Sequence, residues 1–294
     1  MPLRNNIRNW LLRHPKINPY RFSFNRTIRI LTSPFRIGPD FIIIGSAKCG
    51  TTSLFDYLSQ HPSIVPASKK EVNFFDYNFD KGYFWYKSHF PTFFLKKFRL
   101  LKNKKFLTGE ASPLYIFNKD IAQRVYQFNP NIKIILLLRN PVERDYSHYY
   151  QLIKNGSIKK TFEECIDLEL EQIMNDEFKK IYSKSNQEIF NFLQSSNLQS
   201  GIYVDQIKNW TDLFPKKQFL IIHTYDLEHN LDDVISELCN FLNLPNFKVK
   251  NKSRQNVGRY PTLSNKTKDF LINFYVPHNQ RLYDFLGLKY NWDN

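Results

Sequence analysis

The feature that most constrains the fold of this chain is a short apolar run that passes directly into a glycine-containing turn. Residues 41–44 have the length and composition of a buried β-strand, and the turn that follows lies between Gly45 and Gly50. Glycines allow the backbone to approach an anion closely, and the unpaired amide groups at the start of the next helix point toward that anion. The sequence therefore predicts a strand, a phosphate-binding turn and a helix in succession.

The side chains of this turn also favour anion binding. Lys48 adds a mobile positive charge, while Thr51 and Thr52 can cap the helix and donate hydroxyl hydrogen bonds to phosphate oxygens. In the common nucleoside-triphosphate loop the lysine follows the second glycine, whereas here it precedes Gly50. Cys49 lies in the same turn. Because no Cys/His partner pattern accompanies it, we interpret it as a small loop residue and not as a nucleophile.

A second apolar run predicts another strand of the same sheet. Residues 132–138 are nearly all aliphatic, as expected for a parallel strand buried on both faces, and Arg139 follows immediately. The Asn-Pro pair that comes next is typical of a helix start and predicts a helix over residues 141–154 that carries Ser147. Nucleotide hydrolases commonly have a magnesium-holding acid at this position. A cation in its place indicates a metal-free site that binds an additional phosphate.

Strands that alternate with helical segments predict the fold class, a single α/β domain of the P-loop-like type with a central parallel sheet flanked by helices. A chain of 294 residues, 42% of them hydrophobic, is long enough for one core of this kind. We assign residues 38–294 to this domain, with an exposed polar insertion at residues 174–200, and residues 1–37 to a basic N-terminal arm. Ligands of such sheets bind outside the carboxyl ends of the strands, where we expect Lys48 and Arg139.

With these motifs the chain resembles the sulfotransferases that use 3′-phosphoadenosine 5′-phosphosulfate (PAPS), most of all the Golgi heparan-sulfate type and its bacterial relatives. The resemblance implies that the loop from Gly45 to Leu54, through its residues Lys48 to Thr52, wraps the 5′-phosphosulfate and that Arg139 and Ser147 hold the 3′-phosphate. A late loop that closes over the nucleotide in this family corresponds to Val257, Gly258, Arg259 and Tyr260. Because the family has a lysine at the position of Val257, one cationic contact is missing here or comes from another residue.

Two further motifs carry the resemblance on the acceptor side. Residues 69–76 are similar to the family's Lys-Glu-Pro-His-Phe-Phe-Asp, in which Glu71 matches the proposed catalytic base. Asn73 replaces the histidine, and we assign Asn73 and Asp76 to substrate binding. The later run Gly-Glu-Ala-Ser-Pro-Leu-Tyr resembles Glu-Lys-Thr-Pro-Ala-Tyr, with Ala111 in place of a lysine that contacts heparan acceptors. A heparan substrate is therefore not implied, and a glycan, lipid or small-molecule hydroxyl remains open.

The charged residues of these motifs indicate how sulfuryl transfer would be catalysed. Sulfuryl transfer builds negative charge on the leaving phosphate oxygen, which Lys48 and the helix N-terminus can stabilise, while Glu71 can take the proton of an acceptor hydroxyl. Two alternatives remain. A P-loop kinase or hydrolase requires a lysine after the second glycine and a magnesium-holding acid. A catalytically silent nucleotide- or polyanion-binding protein is favoured if Glu71 points away from the cleft.

The formal net charge of +15 suits an anionic cofactor. The chain contains no recognisable nucleic-acid-binding module, so we do not expect nucleic acid as a partner, and the histidines show no metal-ligand spacing, so we expect no metal.

The positive charge is concentrated in the first residues of the chain. Residues 1–36 contain eight Lys and Arg residues and no Asp or Glu. We interpret this basic segment as a surface arm that docks on the domain or touches anionic lipid or polysaccharide, while an organelle transit peptide is an alternative. The arm lacks the apolar core of a secretion signal, and the chain has no run of about 20 apolar residues that could span a bilayer. Together with three cysteines in no framework spacing, these features predict a cytoplasmic location.

Overall fold

A computed structural model of the chain describes residues 24–102, 104–175, 188, 197–255, 258 and 260–292. Its strands form one parallel four-stranded sheet in the order β2-β1-β3-β4. They are β1 (Phe41–Gly45), β2 (Gly109–Ala111), β3 (Lys133–Leu138) and β4 (Phe219–His223). The prediction of an α/β domain with a central parallel sheet is confirmed. Strand β2 was not predicted, because three residues give no periodic signal.

Both faces of the sheet are buried, since successive side chains of a strand point to opposite sides. On one face Ile42 and Ile44 of β1 pack in a core that includes Ile134 of β3. On the other face Phe41 and Ile43 belong to a second hydrophobic cluster. A strand between two such layers is nearly all aliphatic, which explains the continuous apolar runs in the sequence.

Helices flank the sheet on both faces, and most of them contribute side chains to these two layers. They are α1 (Phe24–Leu31), α2 (Thr51–Ser59), α3 (Gly82–Lys87), α4 (Phe93–Leu101), α5 (Lys119–Phe128), α6 (Pro141–Lys154), α7 (Phe162–Met174), α8 (Leu198–Gly201), α9 (Tyr203–Thr211), α10 (Thr224–His229), α11 (Leu231–Leu242) and α12 (Asn265–Leu286). Short 3-10 helices lie at Ser33–Phe35, Phe79–Lys81 and Lys216–Gln218. The helix predicted over residues 141–154 coincides with α6.

The two segments that we set apart from the domain are only partly described. The last part of the basic arm forms α1, and Arg29 of this helix donates hydrogen bonds to the carbonyl oxygens of Ser88 and His89, at 2.8 and 2.9 Å. Residues 1–23, and residues 176–187 and 189–196 of the predicted insertion, lie outside the described residues. Leu198 and Ser200 are fully buried. The predicted exposure therefore does not hold for α8, because these residues pack into the core.

Candidate active site

The turn between β1 and α2 has the conformation of an anion-binding loop. Gly50, the N-cap of α2, has a φ of 89°, and Lys48 has a φ of 71°, which is uncommon for a residue with a side chain. A Cβ atom at Gly50 would lie 3.1 Å from a methyl group of Leu227, and one at Gly45 would lie 2.9 Å from Ile116. Because Gly50 provides no capping side chain, the first amide groups of α2 are available to an anion.

Lys48 extends from this turn across a cleft. Its Nζ donates a hydrogen bond to Oε1 of Gln151 on α6, at 2.7 Å. Partial burial lowers the pKa of Lys48, and the neighbouring guanidinium groups of Arg144 and Arg139 lower it further. Three cations close together, partly removed from water, generate the positive potential that attracts a polyanion.

Arg139 follows β3 directly, so the end of the strand carries it to the same cleft. Its Nη1 lies 3.5 Å from the carbonyl oxygen of Lys48, and its Nε donates to Oε2 of Glu143 at 3.0 Å. The side chain of Asn140 caps α6 by accepting a hydrogen bond from the amide of Val142. This cap fixes the direction of α6 and thereby places Ser147 on the cleft wall.

The cleft has a volume of about 310 Å³ and brings together most of the predicted site residues. Those that line it are Lys48, Gly50, Thr51, Thr52, Glu71, Arg139, Ser147, Gly258 and Tyr260. Val257 and Arg259 lie outside the described residues. Tyr260 stacks on Tyr150 of α6 with ring centroids 4.9 Å apart and an interplanar angle of 11°.

Cys49, Asn73 and Asp76 do not line the cleft. Cys49 is fully buried beneath the turn, with its Sγ 3.8 Å from the hydroxyl of Tyr203, and burial raises the pKa of its thiol. Burial likewise raises the pKa of Asp76 to about 7. Among the described residues Oδ2 of Asp76 has no hydrogen-bond partner, while Oδ1 accepts from the amide of Tyr77. The predicted contacts of these three residues with cofactor or substrate remain predictions.

Glu71 reaches the cleft from a strained turn. Its φ is 58° and that of Asn73 is 50°, so two side-chain-bearing residues adopt the left-handed conformation within one turn. Such conformations are concentrated at functional sites, where the surrounding structure enforces them. The side chain of Glu71 is 46% exposed, and its Oε1 accepts a hydrogen bond from Lys70 Nζ at 2.7 Å.

A buried polar network beneath this turn holds it in place. Oε1 and Oε2 of Glu110, which is fully buried, accept hydrogen bonds from the hydroxyls of Tyr86, Ser112 and Tyr115 at 2.6, 2.8 and 3.2 Å. The hydroxyl of Tyr115 in turn accepts from the amide of Phe74 at 2.7 Å, and Ser112 Oγ accepts from the amide of Asn73 at 3.1 Å. The carboxylate of Glu110 is thereby connected to the backbone of the Glu71 turn.

Sequence reasoning missed several residues of the site. Gln151 and Asn155 line the cleft one and two turns beyond Ser147, and this spacing of four residues on a predicted helix was the available signal. Arg144 is fully buried and donates through Nε to the carbonyl oxygen of Ala47 at 3.2 Å, so it supports the turn from below. For Arg144, its position on the inner face of the predicted helix α6 could have indicated this supporting role.

Arg254 also lines the cleft, although no motif marked it. Its guanidinium forms an ion pair with Glu228, which lies on the same wall. The segment that carries Arg254 is fixed to α2, because the amide of Gln255 donates to Ser53 Oγ at 2.9 Å and Tyr57 donates to the carbonyl oxygen of Lys252 at 3.1 Å. Arg254 therefore lies on the side of the cleft from which the family's late loop is expected.

The fold and the cleft together define a class, an α/β domain that binds a phosphorylated ligand at the carboxyl ends of parallel strands. Comparison with known proteins identifies the family within that class. The family model of the sulfotransferase domain matches residues 38–274. The chain belongs to the sulfotransferase family and is therefore a transferase.

Relatives and a solved structure agree with this assignment. The chain is 29% identical to the membrane-associated sulfotransferase kil1 of Dictyostelium discoideum, over 87% of this chain and 67% of that protein. It is 27% identical to the human heparan sulfate glucosamine 3-O-sulfotransferase 5, over 86% of this chain and 74% of that protein. The crystal structure of a sulfotransferase from Alicyclobacillus acidocaldarius matches with a TM-score of 0.67 and 27% identity, over 88% of this chain and all of that one.

The predicted cytoplasmic location is wrong. A relative that matches most of the chain is a membrane-associated sulfotransferase. Within the described residues no helix is both long and apolar enough to cross a bilayer. The prediction failed because a missing spanning segment does not determine location, since proteins also attach to membranes through their surfaces.

Proposed function

We propose that the protein transfers a sulfuryl group from PAPS to a hydroxyl or amine group of a glycan or another polyhydroxylated acceptor. The observation that carries this proposal is the convergence of Lys48, Arg139, Ser147 and Glu71, from four separate segments, on one cleft. The family assignment supports the donor. A relative named as a heparan sulfate sulfotransferase supports a glycan acceptor.

The residues of the cleft fit the donor. PAPS supplies the sulfuryl group and carries phosphate at both its 5′ and 3′ positions. The uncapped start of α2, with the hydroxyls of Thr51 and Thr52, suits the 5′ end, because amide groups and the helix dipole stabilise negative charge there. Arg139 and Ser147 provide a guanidinium and a hydroxyl for the 3′-phosphate. Tyr260, which is stacked on Tyr150, offers an aromatic wall.

Lys48 is the residue that we assign to the leaving group. Its ammonium is partly desolvated, and Gln151 orients it within the cleft. A preorganised cation in such surroundings stabilises charge that develops on a phosphate oxygen much better than water does, because no reorganisation is needed during the reaction.

Glu71 is the residue that we assign as general base. Glu71 lines the same cleft, and Lys70 Nζ donates a hydrogen bond to its Oε1. The left-handed turn is fixed from below by Ser112 and Tyr115, so the carboxylate has a defined position from which to accept the proton of an acceptor hydroxyl.

Arg254 is our candidate for the cationic contact that this chain lacks at Val257, where the family's late loop has a lysine. It lines the cleft on the wall formed by Thr224, Leu227 and Glu228. Its ion pair with Glu228 neutralises an acid that would otherwise repel a phosphate. A guanidinium placed there can approach an anionic ligand in the way that a lysine of the loop would.

The two alternative functions have less support. A P-loop kinase or hydrolase requires a lysine after the second glycine, and that position is Thr51. A catalytically silent protein was expected to direct Glu71 away from the cleft, and Glu71 is instead one of its lining residues.

Calorimetric titration tests the proposal. The purified protein is titrated with 3′-phosphoadenosine 5′-phosphate, AMP, and ATP with and without magnesium. We expect binding that requires the 3′-phosphate and is independent of magnesium, followed by sulfuryl transfer from labelled PAPS to a glycan acceptor. Preference for ATP with magnesium would instead establish a kinase or hydrolase, and binding of the nucleotide without transfer to any acceptor would favour a silent protein.

A further inference from the structure

Helix α4 is unusual because its contacts with the domain come from charged side chains, Lys96 and Arg99, and bury none of its residues. None of its nine residues, all of which the structure describes, is buried. Large apolar side chains nevertheless dominate it, and those that are exposed are Phe93, Phe94, Leu95, Phe98, Leu100 and Leu101. A helix of a globular domain normally buries its apolar stripe against a core, so exposure on this scale indicates an interaction surface.

The exposed surface continues beyond α4 onto the neighbouring segment. The ring centroid of Phe35 lies 6.0 Å from that of Phe94, and Leu31 at the end of α1 is 73% exposed. The segment is firmly attached to the domain, because Arg36 Nη1 donates to the carbonyl oxygen of Phe90 at 2.6 Å. We call the surface formed by Leu31, Phe35 and the apolar residues of α4 the apolar face.

The chain around the apolar face is strongly basic. Residues 81–109 contain no Asp or Glu, and their basic residues are Lys81, Lys87, Lys96, Lys97, Arg99, Lys102, Lys104 and Lys105. On α4 itself Lys97 is exposed, and just beyond the helix Lys102 Nζ lies 4.3 Å from the ring centroid of Phe98. Lys96 is paired with Asp40 at 3.3 Å. Exposed aromatic side chains interleaved with lysines are typical of a helix that lies in a membrane interface.

We propose that the apolar face rests on an anionic lipid membrane, with Phe94 and Phe98 entering the headgroup region and the surrounding lysines contacting lipid phosphates. Charge complementarity selects this occupant. A second copy of the chain packed through the same face would bring two basic surfaces together. Residues 1–23 are also basic and contain no acid, so they would be repelled from the face. A polysaccharide would satisfy the lysines but leave the phenylalanines in water.

Docking in this orientation leaves the cleft accessible. Asp40, which pairs with Lys96 of α4, precedes β1, whereas the phosphate-binding turn follows that strand. The backbone bridge between Arg36 and Thr92 also lies on the side of the sheet where β1 begins. The apolar face and the cleft are therefore at opposite ends of the parallel strands, and variants of one do not touch the other.

Co-sedimentation with vesicles tests the proposal. The full chain is mixed with vesicles of phosphatidylcholine alone or of phosphatidylcholine with phosphatidylserine. We expect binding only to the second kind, weakened by salt. The double variant Phe94→Ser/Phe98→Ser should reduce partitioning roughly 10- to 100-fold, because two phenylalanines no longer leave water. Lys97→Glu/Lys102→Glu should also reduce it, since lipid charge is then repelled.

The matched control is Phe270→Ser, which removes an exposed phenylalanine of α12 outside the apolar face and should bind vesicles like the unmodified chain. Thermal unfolding and nucleotide affinity should be unchanged in the Phe94→Ser/Phe98→Ser variant, since α4 contributes nothing to the core. These two readouts separate a folding defect from a lost membrane contact.

Three results would overturn the proposal. The first is equal binding to both kinds of vesicle, or no binding to either kind. The second is unchanged binding by Phe94→Ser/Phe98→Ser, which would assign membrane contact to the basic residues 1–23. The third is that the unmodified chain does not bind vesicles and forms a dimer in sedimentation velocity, and that this dimer dissociates in the Phe94→Ser/Phe98→Ser variant. A second copy of the chain would then be the partner that covers the apolar face. Because vesicle binding is measured without nucleotide, none of these results bears on the sulfotransferase assignment.

Discussion

The two walls of the cleft are built in different ways. The wall that we assign to the donor, the donor wall, consists of the turn between β1 and α2 together with Arg139 and Ser147, and it presents backbone amides and cations at adjacent strand ends. The wall that we assign to the acceptor, the acceptor wall, consists of the Glu71 turn, which is hydrogen-bonded through Ser112 to a buried carboxylate far along the chain, Glu110. The proposed phosphate contacts come from short motifs at strand ends, whereas the proposed base is held in place by a second layer of residues.

The comparison is tested first by replacing Glu71, the residue that we propose as the base. Glu71→Gln should lower the rate of transfer to a hydroxyl acceptor by roughly 100- to 10,000-fold, because the amide cannot accept the proton. Affinity for 3′-phosphoadenosine 5′-phosphate should stay unchanged, since the donor wall is intact. Steady-state transfer assays and calorimetry measure the two effects, and Lys69→Gln is the control for a change of charge in the same segment. Full activity would assign the base to another residue.

Lys48→Ala tests the corresponding residue of the donor wall. Turnover should fall by about 100- to 1000-fold, because the charge on the leaving oxygen loses its preorganised partner. Nucleotide affinity should fall much less, since the amides of α2 and Arg139 remain. Lys154→Ala, which removes a nearby cation that does not line the cleft, serves as the control and should retain most of the activity. An unchanged turnover of Lys48→Ala would exclude the proposed role.

Arg139→Ala addresses recognition by the donor wall. Affinity for the 3′-phosphorylated nucleotide should decrease by about 10- to 100-fold, the usual contribution of a charge-assisted hydrogen bond. AMP, which lacks the 3′-phosphate, should bind the variant and the unmodified protein equally well in the same titration. An equal loss for both nucleotides would mean that Arg139 supports the turn and does not read the 3′-phosphate.

The two walls also differ in how far the sequence predicted them. The sequence predicted the strand, turn and helix at residues 41–54 and the cation after β3, because each of these features lies within a few consecutive residues of typical composition. The Glu110 network was not, because Tyr86, Ser112 and Tyr115 reach it from different elements and only the fold brings them together. For the same reason the burial of Asp76 could not be predicted.

Two variants of the Glu110 network test whether the position of Glu71 depends on these buried hydrogen bonds. Tyr115→Phe removes the hydroxyl that connects Glu110 to the amide of Phe74, so both stability and turnover should decrease, by about 1–3 kcal/mol and about tenfold respectively. Tyr86→Phe removes a hydrogen bond to the same carboxylate but none to the Glu71 turn. It should therefore decrease stability alone, as measured by chemical unfolding beside transfer assays. Equal turnover in both variants would show that the network stabilises the core without positioning Glu71.

The smallest expected effect belongs to Arg254, at the edge of the donor wall. Arg254→Ala should weaken nucleotide binding only about two- to fivefold, because the guanidinium is half exposed and its charge is screened by water. Glu228→Gln should instead strengthen nucleotide binding, since it frees Arg254 from its ion pair and removes a carboxylate that repels phosphate. Combining the two substitutions separates these causes. If Arg254 contacts the nucleotide, the gain from Glu228→Gln should shrink in the Arg254→Ala background, whereas a purely repulsive effect of Glu228 would leave that gain intact or enlarge it.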